Sequence, residues 1–178
     1  MNLKKIKIIS VIGTFLLCFL THFLYDIFPN SLFSIFFPVN ESIWEHMKML
    51  FTTILLFSII EYFLIIRFNI KINNYILSKF FEALLSIPIY LLLFLPLYYK
   101  FGEVMFISIS LMLIVIIIVA FINYKLISLK GFKSSNIIGI ILIIITYIVF
   151  GYLTYKPIKT HLFFDTENEK YGINIYNI

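Results

Sequence analysis

The sequence predicts an all-α protein, a polytopic membrane bundle of five transmembrane helices with its N-terminus inside and its C-terminus outside. Three observations carry that expectation. Of the 178 residues, 62% are hydrophobic and 13% charged, and the mean hydropathy is +1.03. Soluble domains are nearer half apolar and a quarter charged, and a soluble chain of this size has too little polar surface to cover so much apolar material. Second, five apolar stretches reach the roughly 20 residues that cross a bilayer core of about 30 Å as helix. Third, the basic residues are unevenly divided between the two sides that those stretches define.

The five stretches are residues 6–28, 43–66, 75–98, 104–122 and 137–155. Lys4, Lys5 and Lys7 before the first resemble the start of a signal peptide, but no small-x-small cleavage site follows, so the stretch reads as an uncleaved helix. Tyr25, Trp44, Tyr62, Tyr75, Tyr98, Tyr99, Tyr124 and Tyr155 mark the span ends as an interfacial aromatic belt. Pro88 interrupts the third span and should kink it, while Pro96 shapes its exit. The Ile-rich runs of spans four and five read as lipid-facing filler. With the N-terminus inside, Lys4, Lys5, Lys7, Arg67, Lys71, Lys79, Lys125, Lys130 and Lys133 are cytoplasmic. Lys48, Lys100, Lys156, Lys159 and Lys170 are outside, and the positive-inside rule favours this arrangement. Residues 1–155 then form the bundle, and 156–178 a short extracytoplasmic tail. Residues 165–169 are turn-like and 171–176 alternate loosely, which suggests a small hairpin or flap.

Composition also excludes some functions. The net charge of +5 is spread through short loops, where topology accounts for it, so a nucleic-acid partner is not expected. Cys18 is the only cysteine, which rules out an intrachain disulfide or thiol cluster. The histidines and carboxylates are the remaining ligand set. No internal repeat supports an inverted-repeat transporter.

Ser10, Thr14, Cys18, His22 and Asp26 follow one another at four-residue spacing on the first span. Small and polar residues in a row suit close helix packing, but His22 and Asp26 can both ionise. In the second span Asn40 is a good N-cap, and Glu41 in a first turn is favoured by the helix dipole. At about 100° per residue Glu41, Glu45, Lys48 and Thr52 share one face, with His46 a quarter-turn away. Glu41 and Glu45 repel one another at this spacing, so a positive group belongs between them, Lys48 being the nearest. His161 and Asp165, again four apart, lie in the tail. Chain alternation assigns all three histidines to one membrane face.

Two chemistries fit that set. His22, Asp26, His46, His161 and Asp165 could ligate a divalent metal such as zinc, and Glu45, Glu41 and Lys48 could supply acid–base catalysis. Equally, ionisable groups near helix ends can snorkel to the headgroups, with Glu45 paired to Lys48 and His22 to Asp26. Glu82 has Lys79 one turn away. Glu61 has no partner on its own helix, and a tyrosine hydrogen bond or a snorkelling carboxylate is expected there.

The run Asn40-Glu41-Ser42-Ile43-Trp44-Glu45-His46-Met47-Lys48, with His22 to Asp26 and a late Tyr171-Gly172-Ile173, resembles the signature of an uncharacterised bacterial membrane-protein family. That resemblance covers most of the chain and implies a multipass fold in the cell membrane, with no assigned activity. Three functions remain open: a metal-dependent or acid–base membrane hydrolase, a small transporter component, and an accessory or immunity protein. Beyond the lipid bilayer, the protein partner or small-molecule ligand is left undefined.

Overall fold

In a computed structural model of the chain, which describes residues 1–102 and 104–173, the apolar stretches form five long helical spans. The first is α1 (Leu3–His22), followed after a break at Phe23 by the single turn α2 (Leu24–Ile27). A short helix α3 (Ser31–Phe36) links it to α4 (Ile43–Arg67), and α5 (Tyr75–Phe101), α6 (Met105–Leu126) and α7 (Ser135–Tyr155) complete the bundle. Their bounds stay close to the five apolar stretches because each helix satisfies its own backbone, as a lipid environment requires. The second half of the expected alternation of residues 171–176, from 174 on, lies outside the described residues.

Helix α1 packs on α4 and α6, α4 on α5, and α5 on α6, so these four close a ring. Helix α7 lies outside the ring against α5 and carries α3 on its flank. Gly139 permits the α5–α7 approach, since a Cβ there would lie 2.7 Å from the backbone nitrogen of Leu77. Large apolar side chains such as Phe63, Leu92, Phe106 and Ile148 remain exposed on the outer faces, an arrangement compatible with contact to a lipid bilayer.

Three elements add detail to the sequence expectation, the tail hairpin among them as expected. Helix α5 runs through both Pro88 and Pro96 to Phe101, three residues beyond the expected bound at 98. Apolar packing on both sides holds it together, and Gly102 at φ +73° ends it. Helix α4 begins at the expected Ile43, but with a different cap. Ser42, not Asn40, is its N-cap, accepting from the Glu45 N–H at 3.4 Å. Ser42 and Glu45 have the three-residue spacing of a capping box, which leaves Asn40 and Glu41 in the preceding loop. In the tail, residues 161–163 form a 3₁₀ turn, after which β1 (Phe164–Asp165) pairs antiparallel with β2 (Lys170–Tyr171).

The chain weave puts one set of helix ends together at each end of the bundle. The ends of α1 and α5 that begin them, with the last turns of α4 and α6, make the first end. The other end gathers the close of α1, the loop before α4 and the tail.

Candidate functional site

Charge is buried at both ends. At the first end Glu61 on α4 is fully enclosed, with Lys7 of α1 at 2.5 Å from one oxygen and Lys79 of α5 at 2.7 Å from the other. Ser10 donates to the same carboxylate, Lys79 also pairs with Glu82 at 2.7 Å, and Lys7 hydrogen-bonds Asn123 of α6. The expectation of a tyrosine or a snorkelling carboxylate at Glu61 is thus replaced by an inter-helix ion network. Lys7 and Lys79, counted by sequence among topology-setting charges, are interior partners of that network. Single-helix reasoning missed it because the partners come from three different spans.

At the opposite end two groups of residues separate. Glu45 and Lys48 form a pair at 2.5 Å with almost no exposure. The Lys48 ammonium also donates to the Ser34 carbonyl at 2.7 Å and to Thr154 Oγ1 at 3.0 Å, using all three of its protons. Glu45 accepts from the Val39 N–H at 3.2 Å. This pair ties α3, α4 and α7 together, as an interior fastening.

Glu41 turns the other way. Because α4 starts at Ile43, Glu41 is released from the Glu45 face and reaches two imidazoles. Its Oε2 lies 3.4 Å from His22 Nε2 and 3.4 Å from His46 Nε2, and those two nitrogens are 3.2 Å apart. The positive group expected between Glu41 and Glu45 is therefore divided, with Lys48 serving Glu45 and the histidines serving Glu41. Hydrogen bonds from His22 and then His46 hold the Glu41 carboxyl well below the usual carboxylate range, outweighing its partial burial.

The three side chains are 25–34% exposed, so they are reachable. His46 Nδ1 lies 3.0 Å from the Ser42 carbonyl, one turn back. A carbonyl can only accept, so Nδ1 carries a proton. In the neutral ring that a metal would need, the Nε2 lone pair faces His22 and Glu41; in the protonated ring Nε2 donates to Glu41 instead. The bond to Ser42 is the outer hydrogen bond a metal-ligating histidine characteristically has. Tetrahedral bonds of about 2.0–2.1 Å separate ligand atoms by about 3.3–3.4 Å, and the triangle observed here has edges of 3.2, 3.4 and 3.4 Å. Two histidines and one carboxylate leave further coordination positions open.

The remaining sequence candidates lie elsewhere. Asp26 is exposed on α2, past the break at Phe23 that turns it out of the α1 row. His161 is exposed, with its Nε2 3.4 Å from the Tyr98 hydroxyl. Asp165 is buried as a turn anchor, accepting from the Glu167 and Asn168 N–H groups at 3.0 Å and from Asn168 Nδ2 at 2.9 Å. Its other contact is the Glu41 N–H at 3.2 Å, so it supports a triangle member through the backbone. Burial would raise its pKa, but the hydrogen bonds of Asn168, Glu41 and Glu167 outweigh this and hold it low.

Beside the triangle a cavity of about 420 Å³ opens between α1, α4, α5 and α6. His22, Glu41 and His46 lie on its wall together with Glu167 of the tail. Sequence reasoning had not singled out Glu167, and only the turn built on Asp165 brings it there. Stacking of Phe163 on Trp44 at 4.8 Å, and the Asn40 amide donating to the Gly172 carbonyl at 3.0 Å, fasten the tail over this end.

A family model described as a family of unknown function (DUF6512) matches residues 1–173. No curated protein and no solved structure matches the chain.

Proposed function

The chain belongs to this family of unknown function, and from that premise we propose that it is a multipass membrane protein with a divalent-metal centre on His22, His46 and Glu41, working as a metal-dependent hydrolase. One observation carries the reading: two imidazole nitrogens and a carboxylate oxygen converge at the spacing of a metal's coordination edges. The Ser42 hydrogen bond that aims His46, and the adjoining cavity, support it.

Zinc suits this donor set, and a cation there would polarise a carbonyl or phosphoryl oxygen and lower the pKa of a water to about 7. His22, His46 and Glu41 would hold the cation. Glu167 is the cavity carboxylate suited to take a proton from the attacking water and pass it to the leaving group. In the hydrolysis the water oxygen bonds to the acyl carbon or phosphorus, the bond to the leaving oxygen breaks, and the proton ends on that oxygen. No electrons are exchanged. Asp165 acts as a positioning residue, while Glu45 and Lys48 hold the scaffold; Asp26 and His161 have no ligand role. In this reading residues 1–155 form the bundle in the cell membrane, and the surface lysines set the site on the extracytoplasmic face.

Elemental analysis of protein purified in mild detergent and loaded with zinc, cobalt(II) or iron(II) tests the centre. About one equivalent should be retained by the wild type and lost by both His46→Ala and Glu41→Ala, with unchanged unfolding temperatures. Absence of stoichiometric metal after all three loadings would refute it.

A further inference from the structure

The cavity is most polar at one end. Its histidines and carboxylates, His22, Glu41, His46 and Glu167, gather at that end, and beyond them the wall is largely apolar, with Cys18, Tyr90 and Ser108 as its other polar side chains. Along α4 the wall runs from Ile43 to Leu50, and along α6 from Met105 to Met112. Each run advances seven residues, or about 10 Å at the helical rise, so the cavity extends well below the polar mouth. Four methionines, Met47, Met49, Met105 and Met112, line it, and flexible thioether side chains adapt to ligands of irregular shape.

The side of the cavity is also informative. Phe19 is 43% exposed, Phe23 54% and Met105 76%, and all three belong to the lining. They sit on α1, the break after it, and α6, so the rim between those helices is apolar on its outward side. A ligand from water would meet these groups as an obstacle, whereas a bilayer resident meets them as a path.

We infer that this cavity takes one apolar chain of a membrane amphiphile, whose oxygen-donor head (a carboxylate, ester carbonyl or phosphate) lies at His22, His46 and Glu41. The head part of this inference rests on the proposed metal centre; the chain part rests on the cavity alone. The apolar chain enters sideways between α1 and α6 and orients the head, so that reactive oxygen and open coordination position meet without the head leaving the interface.

Two arms test it on the full chain in lipid nanodiscs. In the first, a fatty acid carrying a mid-chain diazirine is photolysed and the crosslinks mapped by mass spectrometry. Crosslinks should fall on Leu50, Phe94 and Met112 and disappear in Met112→Trp, or in Ile109→Trp if that variant does not fold. Crosslinks confined to outward residues such as Phe106 and Ile117 would overturn the inference.

In the second arm, acetohydroxamate and octanohydroxamate are titrated into cobalt(II)-loaded protein and followed by the visible spectrum. The longer chain should bind at least about tenfold tighter, a gain of about 1.4 kcal/mol, and the tryptophan variant should lose the gain while still binding acetohydroxamate. Equal gain in the variant overturns the chain site. If no cobalt spectrum develops but the cavity crosslinks persist, the metal centre fails and the chain site stands.

Discussion

The two ends of the bundle both bury ionisable groups, yet they leave them in opposite conditions. Around Glu61, two lysines, a serine and a second carboxylate pair with one another, and the ion-paired side chains are at most 7% exposed. Around Glu41, two imidazoles and one carboxylate point their acceptor atoms at a shared space and are 25–34% exposed on a cavity wall. Both have comparable charged chemistry. What separates them is enclosure: the buried ion network fixes helix positions, and in the proposed reading the exposed, converging one takes a ligand. The Glu45–Lys48 pair, though next to the cavity end, belongs with the closed kind.

Changes that break the closed kind should cost the most stability. Glu61→Gln leaves Lys7 and Lys79 with too little compensating charge, and loss of one partner from a buried pair costs about 3–5 kcal/mol. Denaturant unfolding in detergent should show a loss of that size, with metal stoichiometry kept in the folded fraction. Lys48→Met should cost a similar or slightly smaller amount by stranding Glu45. Preserved stability with loss of hydrolysis in that variant would return Glu45 and Lys48 to a catalytic role.

The open kind should answer differently. His46→Ala removes one of the proposed ligands and should weaken cobalt(II) binding by about 100-fold, near 2.7 kcal/mol, while moving the unfolding transition little. A large stability loss without change in metal affinity would mean that the triangle is another fastening. Smaller still is Asp165→Asn, which keeps the side chain's size but weakens the hold on the Glu41 backbone. Outer supports of a metal site are worth about 10–100-fold in affinity, and the lower figure suits a contact made through the main chain.

Much of the fold was readable in advance because lipid imposes a simple pattern, with long apolar runs divided by short polar loops. His22 and His46 were readable as neighbours for the same reason, since alternation puts the end of one span beside the start of the next. Three site features were not readable. The choice of Ser42 over Asn40 as cap turns on loop geometry, and it moves Glu41 from one partner to another. The break at Phe23 removes Asp26 from a row whose spacing was otherwise regular. Glu167 arrives through a turn of the tail, and sequence spacing carries no signal for which loop folds back over which helix end.

The hydrogen bonds from the tail to residues 40 and 41 also order events during synthesis. Residues 165–172 leave the ribosome only after all five spans have been made, yet Asp165 and Gly172 hold the loop that presents Glu41. The growing protein can therefore assemble its helices before the Glu41 loop is fastened, and a chain stopped after α7 would carry that loop unsupported. Completion of the site is a late step in biogenesis, coupled to the docking of the last described residues.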